Sequence, residues 1–308
     1  MHATEFTLTP VPPYQFESTV RSHGWASLAP FAWNAEANEL ERVLRLTTGQ
    51  VVLLDMSAGS DGAVAVAAQH AASLDAAECD ELERTAVRML STDEDLAGFF
   101  QVCEGRGGMW RHAIARATRL LRSATLWEDM VKIIATTNVQ WGGTRGMVRR
   151  LVEAYGEPLP WDPERRAFPT PEAVAAVDED AFGAAVRMGY RTPYVCELAG
   201  RVVEGDLDLA ALEDPDLLTK ELRKRLLGIK GVGAYAAAHL LMLLGRYDDI
   251  PVDTAFRSYV GGRYFVGETP SDKVMVAVYD DWGPWRGWAY WHELLWAFQP
   301  PEDSATGE

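Results

Sequence analysis

Residues 226–260 read LLGIKGVGAYAAAHLLMLLGRYDDIPVDTAFRSYV, and this stretch constrains the fold more than any other. Three glycines in six residues, Gly228, Gly231 and Gly233, separate two helical patterns. The first ends near Leu227, and the second is apolar and runs from Ala234 to about Leu244. Glycine reaches backbone conformations closed to other residues, so the segment predicts a tight helical hairpin. Amides at the start of the second helix then point outward and can grip a phosphate through main-chain N–H groups, with no positive side chain needed. A dinucleotide-binding turn is the obvious competitor. That pattern needs G-x-G-x-x-G after a strand, whereas the order here is G-x-x-G-x-G after a helix. Taken alone, the hairpin also fits a purely structural turn with a glycine cap.

The sequel narrows the choice. Eighteen residues after Tyr235, Ile250-Pro251-Val252-Asp253-Thr254 places a lone carboxylate behind an apolar dipeptide, where another helix opens. An isolated aspartate at such a point is usually only an N-cap. Glycine hairpin, apolar helix, short loop and Val-Asp-Thr together resemble the helix-hairpin-helix and Gly/Pro-rich-loop aspartate signature of the base-excision DNA glycosylase superfamily. The resemblance continues upstream through LWEDMVKIIATTNVQWGGTRGMVRRLVEAYG at 126–156, Phe168-Pro-Thr-Pro-Glu172 and Met188-Gly-Tyr-Arg191. It covers roughly 120–270 and is nearest to the 3-methyladenine and 8-oxoguanine glycosylase branches.

This resemblance implies that a target nucleotide is flipped into a pocket, because its glycosidic bond is inaccessible inside the stack. Asp253 matches the family's catalytic aspartate, whose carboxylate stabilises the cationic sugar and orients or deprotonates the attacking water. Bifunctional members carry a lysine two residues after the last hairpin glycine, and this chain has Tyr235 there. A phenol cannot form a Schiff base, so a monofunctional hydrolase is expected, leaving an abasic site without cutting the strand. Lys230 lies inside the hairpin and is expected to face DNA or solvent with Gly228, Gly231, Gly233 and Ala234. The resemblance also implies a bound sodium or potassium ion held by main-chain oxygens of Leu227, Ile229 and Val232. Asn138, Val139 and Gln140 match the loop that fills the space left by the flipped base, although a plain polar connection fits them too. Tyr190, Trp282, Trp285 and Trp288 are candidates for an aromatic wall against the base, and core packing is the competing role for the tryptophans. His239 and His292 read as ordinary helix residues. No iron–sulfur cluster is expected, because no cysteine follows Asp253.

The implied fold is α+β and mostly α: a small N-terminal antiparallel sheet, then two all-helical subdomains carrying the hairpin. We place the sheet domain at 1–104 and the helical core at 105–308, with the hairpin at about 216–245 and the loop at about 246–254. Runs rich in aromatic and β-branched residues predict strands at 6–8, 14–20, 41–46 and 50–56, and the pattern turns helical from about 63. Further helices are predicted at 126–135, 171–188, 193–204 and 216–227, with a frayed polar tail from 300 to 308.

Charge sharpens the reading. The 308 residues carry a formal net charge of −16, which argues against so anionic a partner as DNA if averaged over the surface. The charges are segregated, however. Residues 71–96 hold eight acids and 204–221 hold seven, while 105–127 contains Arg106, Arg111, Arg116, Arg119 and Arg122 and no acid. A locally neutral-to-positive DNA face is expected there. Cys79, Cys103 and Cys196 are scattered and odd in number, so a reducing compartment is expected. No apolar run reaches membrane-spanning length, and the first residues lack signal-peptide order. We therefore expect a cytoplasmic monomer, nucleoid-associated if bacterial, that binds DNA containing a modified base and hydrolyses its N-glycosidic bond. Alkylated purines suit the 3-methyladenine-like layout. 8-Oxoguanine and a hypermodified pyrimidine of foreign DNA are the alternative substrates, and a non-catalytic DNA-binding module is the alternative class.

Overall fold

The computed structural model describes residues 1–298, so the polar tail at 300–308 lies outside the described residues. The chain forms two compact units, and it crosses between them more than once. One comprises Met1–Asp95 and Ala117–Asp214, and the other comprises Leu96–Arg116 and the segment from Pro215 onward.

The first unit is built on a five-stranded antiparallel sheet in the order β1-β5-β4-β3-β2: β1 His2–Leu8, β2 Phe31–Asn34, β3 Glu39–Arg45, β4 Val51–Ala58 and β5 Val64–His70. Two helices belong to this part, α1 Phe16–Val20 and α2 Ala76–Leu90, the latter opened by a full capping box between Asp75 and Glu78. The strand expected at 14–20 is instead α1. Its buried residues Phe16, Thr19 and Val20 recur at helical rather than alternating spacing. The alanine-rich run after 63, expected to be helical, is β5. Val64, Val66, Ala68 and His70 are buried at every second position between β1 and β4.

The second unit begins earlier than expected. Helix α3 Ala97–Arg106 and helix α4 Trp110–Arg116 join it, so the boundary expected at 104/105 falls inside α3. The reason is aromatic packing, since Phe99 meets Trp282, Trp285, Trp288 and His292, and Trp110 lies 4.2 Å from Trp282. Back in the first unit follow α5 Leu126–Thr136, α6 Trp141–Tyr155, the hairpin β6 Pro158–Leu159 with β7 Asp162–Arg166, α7 Pro171–Ala175, α8 Glu179–Val186 and α9 Thr192–Val203. The single helix expected over 171–188 is two, because the Asp178 carboxylate takes the Asp180 and Ala181 amides and starts α8 afresh.

A buried ionic cluster ties the sheet to α5. Arg42 of β3 donates to both carboxylate oxygens of Glu128, and Lys132 pairs with the same group at 2.7 Å. All three side chains are buried. These two cations hold the Glu128 carboxyl far below its ordinary range, at about 2, against the opposing push of burial. The next residue, Asp129, accepts from Trp25, Arg88 and the Ser123 amide.

In the second unit come α10 Thr219–Leu227, α11 Ala234–Leu243, α12 Thr254–Tyr264, α13 Asp272–Ala277 and α14 Arg286–Phe298. Buried Glu293 of α14 accepts the hydroxyls of Tyr264 and Tyr279, each at 2.7 Å, which fixes α14 to α12.

Candidate active site

The glycine turn between α10 and α11 is as tight as the sequence requires, but only one of its glycines is obligatory. Gly231 has φ +87°, where a side chain is strained. Gly228 continues helical geometry and Gly233 is extended. The turn closes on itself, with the Val232 amide donating to the Ile229 carbonyl at 3.0 Å. Buried Ile229 and Val232 anchor it, while Gly228, Lys230, Gly233 and Ala234 are exposed. Gly233 caps α11 without a side chain, and the first amides of that helix have no intrahelical acceptor. A Cβ added at Gly233 would meet nothing within 4 Å, so the approach to these amides is open.

The loop from α11 to α12 is held at several points before it delivers its carboxylate. Arg246 donates to the Pro215 and Leu217 carbonyls, and Asp249 takes Arg223 at 2.7 Å. The first turn of α14 presses against the same loop. The Gly287 amide donates to the Tyr247 carbonyl at 2.8 Å, Arg286 donates to the Asp248 carbonyl, and a Cβ at Gly287 would collide with the Asp249 carbonyl. Asp253 then caps α12, its Oδ1 accepting the Phe256 amide at 2.7 Å. One carboxylate oxygen is thereby fixed at the positive end of a helix, a setting that favours the anion.

Three aromatic residues and a histidine share this place. Tyr235 and His239 lie one turn apart on α11 with ring centroids 4.5 Å apart, and His239 meets Trp291 of α14 edge-on at 5.5 Å. Burial pushes the His239 imidazole down to about 4, against the smaller opposing effect of Asp253. Tyr290 is buried and its phenol is pushed well above its usual range, by burial first and by Asp253 second. His239 is thus neutral at neutral pH and sits within electrostatic reach of Asp253. Sequence reasoning treated it as an ordinary helix residue. Its position four residues after Tyr235, on the same helix face, is the signal that identifies it.

The aromatic candidates divide. Trp282 and Trp288 are buried, Trp288 completely. Trp282 is covered by Arg106 at 4.0 Å and by Trp110, and Trp288 by Tyr247 and His292. Neither presents an open face, so both act as core. Trp285 is partly buried and packs beside Gly98 and Tyr247. The indole that meets His239 is Trp291. Tyr190 belongs to the first unit, where its hydroxyl bonds Thr137 and Asn138 at 3.3 Å. It therefore stands with the loop of Asn138, Val139 and Gln140. That loop is exposed, and Asn138 takes a left-handed conformation at φ +47°. Arg191 braces it from behind by donating to the Thr137 carbonyl and hydroxyl.

The acid-free arginine stretch, expected to form a locally neutral-to-positive face, is engaged within the protein at several of its members. Arg119 is completely buried and donates to the Glu94 and Val11 carbonyls. Arg122 pairs with Glu213, and Arg106 lies on Trp282 and donates to the Asp281 carbonyl. Arg111 is exposed.

No family model matches the sequence. Two curated proteins are similar over part of their length. The putative DNA-3-methyladenine glycosylase YfjP of Bacillus subtilis is 24% identical over 176 residues, which is 56% of this chain and 59% of the relative. DNA-3-methyladenine glycosylase 2 of Escherichia coli is 28% identical over 202 residues, 64% of this chain and 67% of the relative. The chain thus spans about six-tenths of the length of the first of these. Among solved structures, 3-methyladenine DNA glycosylase from Archaeoglobus fulgidus superposes with a TM-score of 0.73 at 18% identity, covering 96% of this chain and 99% of that one. The Clostridium acetobutylicum 8-oxoguanine glycosylase/lyase in complex with DNA gives 0.72 at 16% identity, covering 97% and 98%. The chain has the fold that these two groups of glycosylases share, with its small antiparallel sheet followed by helices.

Proposed function

We propose that this protein is a DNA glycosylase that hydrolyses the N-glycosidic bond of a damaged base flipped from DNA, with an alkylated purine as its preferred target. The observation that carries the reading is Asp253, fixed at the cap of α12 within electrostatic reach of His239, whose ring meets Tyr235, and placed on the loop that follows an open glycine hairpin. The hairpin amides of Gly233 and Ala234 would hold a backbone phosphate. As the base departs with the bonding electron pair, positive charge grows on the sugar, and the Asp253 carboxylate stabilises it. The same carboxylate orients the attacking water and accepts its proton. The groups around Asp253 favour a particular leaving group. Neutral His239 and the high phenol of Tyr290 offer no strong acid there, and an N-alkylated purine already carries positive charge, so it leaves without one. The names of both curated relatives agree with that substrate class.

Tyr235 has no amine to attack the sugar, so the reading includes hydrolysis without strand cleavage. A sodium or potassium ion at the hairpin belongs to the same proposal and would supply positive charge toward a phosphate. The main-chain oxygens of Leu227, Ile229 and Val232 would hold it, and the Ile229 carbonyl keeps a second lone pair beyond the one given to Val232.

The test is abasic-site release from oligonucleotides carrying N-alkylpurines, 8-oxoguanine or modified pyrimidines. Wild type is expected to release alkylpurines, and Asp253→Asn to be slower by at least about 100-fold. Equal release by both proteins overturns the role of Asp253. A covalent adduct trapped by borohydride overturns the monofunctional assignment.

A further inference from the structure

Trp141 opens α6 immediately after the exposed loop at 138–140, and its indole is held without being hidden. Its Nε1–H donates to Ser27 Oγ at 3.2 Å. Its ring runs nearly parallel to that of Trp25, with centroids 6.5 Å apart and planes at 15°. Trp25 is itself buried and anchored by a 2.9 Å bond from its Nε1 to Asp129. Gly24 completes the seat, since a Cβ there would collide with the Trp141 ring. Despite these constraints, 39% of Trp141 is exposed. Val139 at 37% and Tyr190 at 50% are exposed as well, and the Tyr190 hydroxyl is tied to Asn138. Three apolar groups therefore flank one short loop. An indole whose N–H is already satisfied inside the protein offers a partner only its π surface. That surface matches the face of a nucleobase and ignores the edge that carries sequence.

We propose that Trp141, seated on Gly24 and Ser27, is a stacking platform for an unpaired nucleobase, the one left in the opposite strand when the target nucleotide leaves the duplex. The proposal rests on the glycosylase reading, because flipping is what creates a base without a partner. A rigid platform suits that occupant for two reasons. The orphaned base has lost its hydrogen-bond partner but keeps its π face, and its identity varies with sequence, so a contact that tolerates any base is needed. The Ser27 bond and the Gly24 seat fix the ring beforehand, which lowers the ordering cost of stacking.

The experiment measures equilibrium binding to duplexes with a tetrahydrofuran abasic analogue in one strand and adenine, thymine or a second analogue opposite. Wild type is expected to bind the adenine-opposed duplex about tenfold more tightly than the doubly abasic one, with thymine between them. Trp141→Ala should bind all three alike. Should circular dichroism show that this variant does not fold, Trp141→Leu decides, because leucine fills the seat with apolar volume and has no π face. Loss of the opposite-base preference in the folded variant supports the platform, and retention of the wild-type preference overturns it. A wild-type protein that binds no abasic duplex overturns the glycosylase reading and the platform together. Binding with an unaltered preference in the variants overturns the platform alone.

Discussion

Two residues of the candidate site make separable predictions. Asparagine caps helices as well as aspartate does, so Asp253→Asn should leave the melting temperature nearly unchanged while it removes the carboxylate. Asp253→Ala also loses the bond to the Phe256 amide and should cost about 1 kcal/mol of stability. A thermal melt of the two variants beside wild type separates the structural role from the chemical one. His239 has a proton-linked signature of its own. Its folded value of about 4 lies below the usual histidine range, so the unfolded chain takes up the proton first. The stability it leaves intact above about pH 6.5 is lost as pH falls toward 4, a slope amounting to about 2 to 3 kcal/mol. His239→Phe should flatten that part of a urea-midpoint profile measured from pH 7 to 4, and an unchanged profile would rule out a buried neutral imidazole. Asp253 was legible in the sequence because its loop, hairpin and spacing occur together. His239 was legible only as the residue one helical turn after Tyr235, and its nearness to Asp253 was not, because helical spacing says nothing of what packs from distant segments.

Among the elements, the hairpin and the sheet-to-α5 contact behave differently. Gly231→Ala forces a left-handed alanine and should destabilise the second unit by about 1 to 2 kcal/mol. Gly233→Ala meets open space and an allowed backbone, so it should fold normally and instead weaken binding to DNA by placing a methyl group in front of the amides. Comparing chemical denaturation with DNA affinity for the pair tells the turn-forming glycine from the contact glycine. At the sheet, Glu128→Gln leaves Arg42 and Lys132 buried with reduced compensation and should cost about 3 to 5 kcal/mol. For wild type, the sign is that of a depressed carboxylate. The stabilisation is complete above the ordinary glutamate range and fades as pH falls toward about 2. The helices α5, α9, α10 and α11 were readable from apolar periodicity and their first-turn residues. α1 and β5 were not. Short segments fit either period, and the choice is made by neighbours, β1 and β4 in the case of β5.

For the whole molecule, charge is the quantity that needs tertiary information. A net charge of −16 and an acid-free arginine stretch gave opposite expectations about DNA. Arg119 is buried against carbonyls, Arg122 pairs with Glu213 and Arg106, though exposed, lies on an indole, so in the proposed complex main-chain amides would carry much of the phosphate contact. Affinity for an abasic duplex should then fall only gently with salt, with a slope of log K against log salt of about −2 to −3, as for two or three neutralised phosphates. A slope several times steeper would place the binding on a basic surface instead. Among the described residues no helix is long and apolar enough to cross a membrane. The sequence by itself determined the helical hairpin, the position of Asp253 and the absence of an amine at Tyr235, because each depends on residue type and spacing within about thirty positions. Only the tertiary structure decided which tryptophans are core, that α3 and α4 join the C-terminal helices, that Arg106, Arg119 and Arg122 are engaged, and that His239 stands within electrostatic reach of the Asp253 carboxylate. These outcomes depend on contacts between segments far apart in the chain, where burial and partner choice override local pattern.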